Sequence, residues 1–140
     1  MQTNEQLLDL LENYLAQREL PTEPERLYDP IRYSLAGGGK RLRPMLLLLS
    51  CGLFADDVDV ALPAAAAVEI FHNFTLLHDD IMDNAAVRRG KPSVYARWGG
   101  NVAILSGDAM LISAYRLLAQ APPALLPRIL EVFNTMRSEE

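Results

Sequence analysis

The stretch LPAAAAVEIFHNFTLLHDDIMD, residues 62–83, decides the fold class. It is dense in good helix formers and predicts one long helix from Leu62 to Asp83. Residues four apart share a helix face, so Asp79 and Asp83 point the same way at its end, with Asp80 beside them. His72 lies two turns earlier, near the same face. The residues that follow, NAAVRRGKP at 84–92, add Arg88, Arg89 and Lys91. A surface built only for solubility would mix the signs of its charges. Here an acidic block and a basic block stand apart, next to a segment that otherwise reads as buried helix.

Working outward, almost every segment has helical spacing and none alternates for long with the period of a strand. Leu7, Leu8, Leu11 and Leu15 form one stripe over residues 4–18, which Pro21 and Pro24 terminate. A second helix over 25–36 stops at Gly37, Gly38 and Gly39, because a glycine run does not sustain a helix. Pro44 suits the first turn of a third helix. That helix carries MLLLLSCGLF (45–54), which is apolar all round and is therefore expected to be buried. FADDVD (54–59) reads as a loop. Gly90 and Pro92 mark another, and a helix over 101–119 follows the pair Gly99–Gly100. Pro122 and Pro123 break it. The last helix starts near Ala124 and carries Leu126, Ile129, Leu130, Phe133 and Met136 on a stripe expected to lack a partner within the chain. TMRSEE (135–140) has no glycine or proline stop, so the pattern reads as the front part of a longer protein. The expected fold class is all-α, a helical bundle, with no linker, repeat or low-complexity segment.

Composition excludes several classes. The chain has 140 residues, half of them hydrophobic, enough for one domain with a core. A net charge of −5 argues against nucleic-acid binding, since GGGKRLR (37–43) is too small for a polyanion footprint. Cys51 is the only cysteine, so no internal disulfide forms and nothing suggests zinc. The N-terminus is amphipathic and acidic, unlike a signal peptide. The longest apolar run, Pro44 to Phe54, falls short of the roughly 20 residues of a transmembrane segment. These features set a soluble, cytoplasmic protein as the default expectation.

Clustered carboxylates are costly unless a cation neutralises them, and Mg²⁺ suits them because it takes oxygen ligands and shares its shell with substrate phosphates. Taken alone, DDIMD (79–83) reads first as a solvated helix end paired with Arg88. Arginine forks also suit phosphate oxygens, and a Mg²⁺–diphosphate would join the acidic block to the basic one. GGGKRLRP (37–44) places Lys40, Arg41 and Arg43 after flexible backbone that could cradle a second phosphate group. Alone, it reads first as a loop with a basic edge, and it does not match the P-loop pattern. His78 is expected to be structural and to face away from His72. Glu69 is a candidate buried partner for another helix, and Tyr95 and Trp98 are candidate packing residues.

The conjunction GGGKRLRP, His72, DDIMD and RRGKPSV (88–94), in this order, resembles the trans-isoprenyl diphosphate synthase family, and the likeness extends to NVAILSGDAM (101–110). The resemblance implies the isoprenoid synthase fold, with residues 1–140 as the N-terminal part of a single domain. It implies Asp79, Asp80 and Asp83 as the first aspartate-rich motif, with Mg²⁺ as cofactor and Asp79 and Asp83 as its ligands. It places Arg88 on an allylic prenyl diphosphate, and Lys40, Arg43, His72 and Arg89 around isopentenyl diphosphate. A homodimer is implied in the same way. The family's second aspartate-rich motif is missing: DDVD (56–59) has the wrong spacing, so that motif is expected beyond residue 140, and residues 1–140 alone are expected to be inactive. A terpene cyclase would also use DDIMD but has no need for GGGKRLRP; a non-catalytic subunit or inactive fragment is the other alternative. Thr75 and Phe74, four and five residues before Asp79, are the chain-length candidates. One aromatic at the farther position is similar to the geranylgeranyl pattern.

Overall fold

A computed structural model describes residues 2–18 and 20–138; the final two residues of the expected last helix lie outside them. Among the described residues are seven α-helices, one 3₁₀ turn and one two-stranded ribbon. Helix α1 (Asn4–Gln17) is nucleated by Thr3, whose side chain accepts from Gln6 N while the Gln6 side chain accepts from Thr3 N. Helix α2 (Glu25–Ala36) follows Pro24 and ends at the glycine run. Helix α3 (Leu42–Gly52) starts abruptly, because Arg41 just before it is in the left-handed region at φ 51°.

The 3₁₀ turn Asp59–Ala61 leads into α4 (Leu62–Met82), the long helix anticipated from its composition. The small residues Ala65, Ala66 and Ala67 are fully buried on it, and Ala103, Ser106, Gly107 and Ala114 are buried on α6 (Gly100–Leu118). Small side chains let two backbones approach closely, and α4 and α6 form the most extensive helix pair in the molecule. Around them Ile31, Ile70, Phe71, Leu77, Met110 and Leu117 make the main core. Leu7, Leu11, Leu48 and Leu62 make a second, smaller one beneath α1 and α3. By length and composition alone Asp59–Met82 could cross a membrane, but half of its most apolar window is buried. It also holds Glu69, Asn73 and Asp80 buried within the fold.

Three expectations are corrected. First, α3 is not buried all round: Pro44 and Leu48 are buried, whereas Leu42 and Leu46 are 60% and 54% exposed. Phe54, just after it, is 91% exposed. Helices α1 and α4 cover one side of α3, and no other described helix covers the opposite side. Second, the stripe of α7 (Leu126–Ser138) has a partner within the chain. Phe133 is buried edge-on between Phe71 and Tyr115, with ring centroids 5.3 Å from each. Such burial stabilises by about 1.5–3 kcal/mol. Third, the loop after α4 contains a ribbon, β1 (Val87–Arg88) paired antiparallel with β2 (Lys91–Pro92). Arg89 and Gly90 between them both have positive φ, 54° and 76°, as the tightest hairpin turn requires. A short helix, α5 (Val94–Trp98), follows it, capped by Ser93 accepting from Ala96 N.

Candidate active site

The end of α4 sets the geometry. Asp83 is its C-terminal cap, and its N–H donates to Asp79 O at 2.9 Å. Asp79 and Asp83 are both exposed. Asp80 is turned the other way and is 3% exposed. Its two oxygens accept a forked pair from Arg88, Nη2 at 2.7 Å and Nε at 3.2 Å. That hydrogen-bonded pairing raises the Arg88 guanidinium above its ordinary value against the effect of partial burial, and the charges of Asp80, Asp79 and Asp83 add to it. The acid and base are therefore not a loose surface pair: Asp80 fixes the first strand of the hairpin to the helix. Tyr33 Oη donating to Pro92 O at 2.7 Å and Ser93 Oγ donating to Ala85 O at 2.6 Å hold the hairpin's two ends.

The hairpin's tip meets the glycine loop. Gly39 has φ 117°, and a Cβ there would stand 2.9 Å from Arg89 Nη2 and 3.0 Å from its Cζ. Only a residue without a side chain lets the guanidinium lie so close. Burial there lowers the Arg89 guanidinium from its ordinary value, yet an arginine stays cationic at neutral pH. A cavity of about 40 Å³ lies where the two segments join, lined by Gly37, Asn73, Asp80, Arg88, Arg89 and Lys91 among others.

Residues of the loop divide by direction. Lys40 and Arg43 are exposed, and Arg43 Nη1 lies 3.4 Å from His72 Nε2 on α4. Arg41, grouped with them by its type, is 5% exposed and points inward. It donates to Glu12 Oε1 and Glu69 Oε1, both at 2.9 Å, and to Leu35 O at 2.7 Å. Burial alone would lower its guanidinium, but the bonds to Glu12 and Glu69 outweigh it and hold it above the ordinary value. Glu69 is thus a buried partner, as expected, though for the loop before α3. Asn73 completes the network, donating to Glu69 O at 2.9 Å and Glu69 Oε1 at 3.1 Å. A signal for this was present in the sequence. Glu69, Asn73 and Asp80, at intervals of four and seven, stand on one face of an otherwise apolar helix, where polar residues need partners.

On the side of α4 toward α6, Phe74 packs on Phe71 and His78, with ring centroids 5.5 and 4.5 Å apart. Both Phe74 and His78 press against Gly107: a Cβ there would stand 2.6 Å from His78 Nε2 and 3.4 Å from Phe74 Cδ1. That His78 nitrogen is buried with no hydrogen-bond partner and lies 4.0 Å from Asp108 Oδ1. Thr75, one turn before Asp79, donates its hydroxyl to His72 O at 2.6 Å.

The arrangement presents two exposed carboxylates one turn apart, a hairpin with arginines fixed at its base and tip, and a basic loop packed against that tip. Such a surface can hold a dianion bridged by a divalent metal and a second anion beside it. A family model described as polyprenyl synthetase matches residues 24–139. A geranylgeranyl diphosphate synthase of Methanosarcina mazei is 48% identical over 99 residues, covering 71% of this chain and 31% of its own length. One from Saccharolobus solfataricus is 55% identical over 84 residues, covering 60% of this chain and 25% of its own. A crystal structure of a geranylgeranyl pyrophosphate synthase superposes with a TM-score of 0.92 at 47% identity, over 96% of this chain and 41% of that one. The chain therefore spans less than half the length of each of these three proteins. With the matched model covering most of the chain, and the helices, carboxylates and basic segments in this arrangement, the chain belongs to the polyprenyl synthetase family.

Proposed function

We propose that this chain carries the first-aspartate-motif half of a prenyltransferase site, one that condenses isopentenyl diphosphate with an allylic prenyl diphosphate. The observation that carries the reading is the seating of Arg89 on Gly39, which joins the glycine loop to the hairpin that Asp80 fixes to the end of α4. The likeness to proteins named geranylgeranyl diphosphate synthase supports it.

Mg²⁺ fits the donor set, which is carboxylate oxygen from Asp79 and Asp83. Among the described residues no group of three or more His, Cys, Asp or Glu side chains could hold a metal. The remaining places then fall to water and substrate phosphates, as is usual for this ion. When bound, it neutralises the diphosphate and improves it as a leaving group. The chain's own part is positioning. Asp80 orients Arg88 toward the allylic diphosphate. Lys40, Arg43, His72 and Arg89 receive the diphosphate of isopentenyl diphosphate. The allylic carbon–oxygen bond breaks with its electron pair leaving on the diphosphate. The isopentenyl double bond attacks the allylic carbon, and the carbon adjacent to the resulting cation loses a proton to the departing diphosphate. Water must be kept from the electron-deficient carbon, and the packed rings of Phe71, Phe74 and His78 on the α6 side of α4 are the apolar surface assigned to that task in this reading. Phe74 and Thr75 set the room for the chain in this reading, which gives a twenty-carbon product. A terpene cyclase is the less favoured reading, because a single diphosphate has no use for the second basic segment seated on the hairpin. A cytoplasmic homodimer, with a second carboxylate cluster beyond residue 140, belongs to the same proposal.

The test is Asp79→Ala and Asp83→Ala in the full-length protein. Each should lower Mg²⁺-dependent prenyl transfer by at least ~100-fold, about the loss of one transition-state charge contact, with the helical circular dichroism unchanged. Wild-type turnover in either variant would overturn the assignment.

A further inference from the structure

On the far side of α4 from the carboxylates is a larger cavity, about 360 Å³, between α1, α2, α4 and α6. Its α4 residue is Ile70, about two and a half turns before Asp79 and therefore on the opposite side of the helix. The body of the cavity is aliphatic: Leu15, Leu27, Ile31, Leu35 and Ile70 line it. Its volume lies at the lower end of the ~300–1,000 Å³ of small-molecule sites.

One edge differs in kind. Arg18, at the end of α1, donates from Nη2 to Ser113 Oγ at 2.7 Å, and Arg116 stands one turn after Ser113 on the same face of α6. No described lining residue is acidic. Among the described residues Arg18 hydrogen-bonds to this neutral hydroxyl, and burial pulls its guanidinium below the ordinary value. Ser113 accepts from Arg18 and keeps its own proton to donate. Two other arginines of this molecule, by contrast, meet carboxylates: Arg41 meets Glu12 and Glu69, and Arg88 meets Asp80. Among the described residues, then, two cations stand at the rim of an apolar hollow whose lining holds no acid.

We propose that this cavity binds a single-chain amphiphile with an anionic head: the carboxylate or phosphate sits on Arg18, Ser113 and Arg116, and the aliphatic tail fills the hollow lined by Ile31 and Ile70. The guanidinium forks match either head group geometrically. The tail gains from leaving water.

The experiment is titration calorimetry of the full-length protein in EDTA with decanoate, decyl phosphate and decanol. Decanoate or decyl phosphate should bind saturably at one per chain, at least tenfold tighter than decanol; whichever of the two binds tighter assigns the head group. Arg18→Met and Arg116→Met keep an apolar stem in place and should each weaken anion binding at least tenfold. Ala109→Leu, which adds bulk to the cavity wall, should abolish it. Circular dichroism of each variant should match the wild type, and a variant that fails this is replaced by Arg18→Gln or Arg116→Gln. Equal affinity for decanol, no saturable binding, or loss of binding in Arg89→Met but not in Arg18→Met would overturn the proposal. The last result would place the ligand at the hairpin.

Discussion

Replacing Arg41 with methionine separates two readings of the glycine loop. By residue type Arg41 belongs with Lys40 and Arg43 as a phosphate contact, but in the structure it is a buried strut. Methionine carries the same Cβ, so the cost of the left-handed backbone at φ 51° is common to both residues. What changes is the partner set. The bond to Glu12 contributes little, because Glu12's side chain is 46% exposed and an exposed pair is worth about 0–1 kcal/mol. The bond to Glu69 decides the outcome. Glu69's side chain is 3% exposed and would keep only the Asn73 amide as a partner among the described residues. Breaking a buried pair on one side costs about 3–5 kcal/mol, a large share of the ~5–15 kcal/mol that hold a typical domain folded. With a urea dependence of about 2 kcal/mol per molar, the midpoint should fall by about 2 M. Glu69→Met removes the stranded charge, so the double variant Arg41→Met/Glu69→Met should be no less stable than Arg41→Met alone. Urea unfolding followed by circular dichroism measures all of this. A loss below about 1 kcal/mol for Arg41→Met, or costs that simply add in the double variant, would refute the strut. An unchanged midpoint with a raised KM for a diphosphate substrate would make Arg41 a ligand.

Gly107→Ala should destabilise by about 1 kcal/mol. Overpacking against His78 and Phe74 costs ~1–3 kcal/mol, while removing a mid-helix glycine returns up to ~1. In a His78→Ala background the same change should become stabilising, which thermal melts of the four proteins would report. Lys40→Ala or Arg43→Ala should raise the KM for isopentenyl diphosphate several-fold more than that for the allylic substrate, and Arg88→Ala should do the reverse; equal effects in steady-state kinetics would show the two anion sites to be misassigned. Phe74→Ala removes a ring from the wall shared with Phe71 and His78, so chromatography of the dephosphorylated products should show longer chains. An unchanged product distribution would remove Phe74 from that role.

The helices were legible because apolar spacing at 3.6 residues reports which face is buried, and α1, α2, α4 and α6 have nearly the bounds that their spacing and breakers imply. Spacing cannot report how many neighbours a helix has, and the uniformly apolar α3 therefore looked buried while Leu42 and Leu46 are open. The hairpin escaped notice because strands of two residues carry no periodicity, and its left-handed turn holds an arginine rather than the usual asparagine or aspartate. At the site, the residue types were legible and their directions were not. Asp79, Asp80 and Asp83 are chemically alike, and so are Lys40, Arg41 and Arg43 as cations. Backbone conformation turned Arg41 inward, and helix geometry placed Asp80 on the buried stripe with Glu69 and Asn73 while leaving Asp79 and Asp83 outside.

The forked contact between Asp80 and Arg88 also bears on how tightly an anion can be held. A free arginine side chain samples many rotamers, and fixing it on ligand arrival costs about 0.5–1.5 kcal/mol. Here folding has already made that choice: two of the guanidinium's N–H groups are committed to Asp80, which fixes the plane of the others. On the proposed assignment, affinity at Arg88 therefore depends on a carboxylate that need never touch the anion. Asp80→Asn would weaken anion binding through restored side-chain disorder, even as it removes a nearby negative charge.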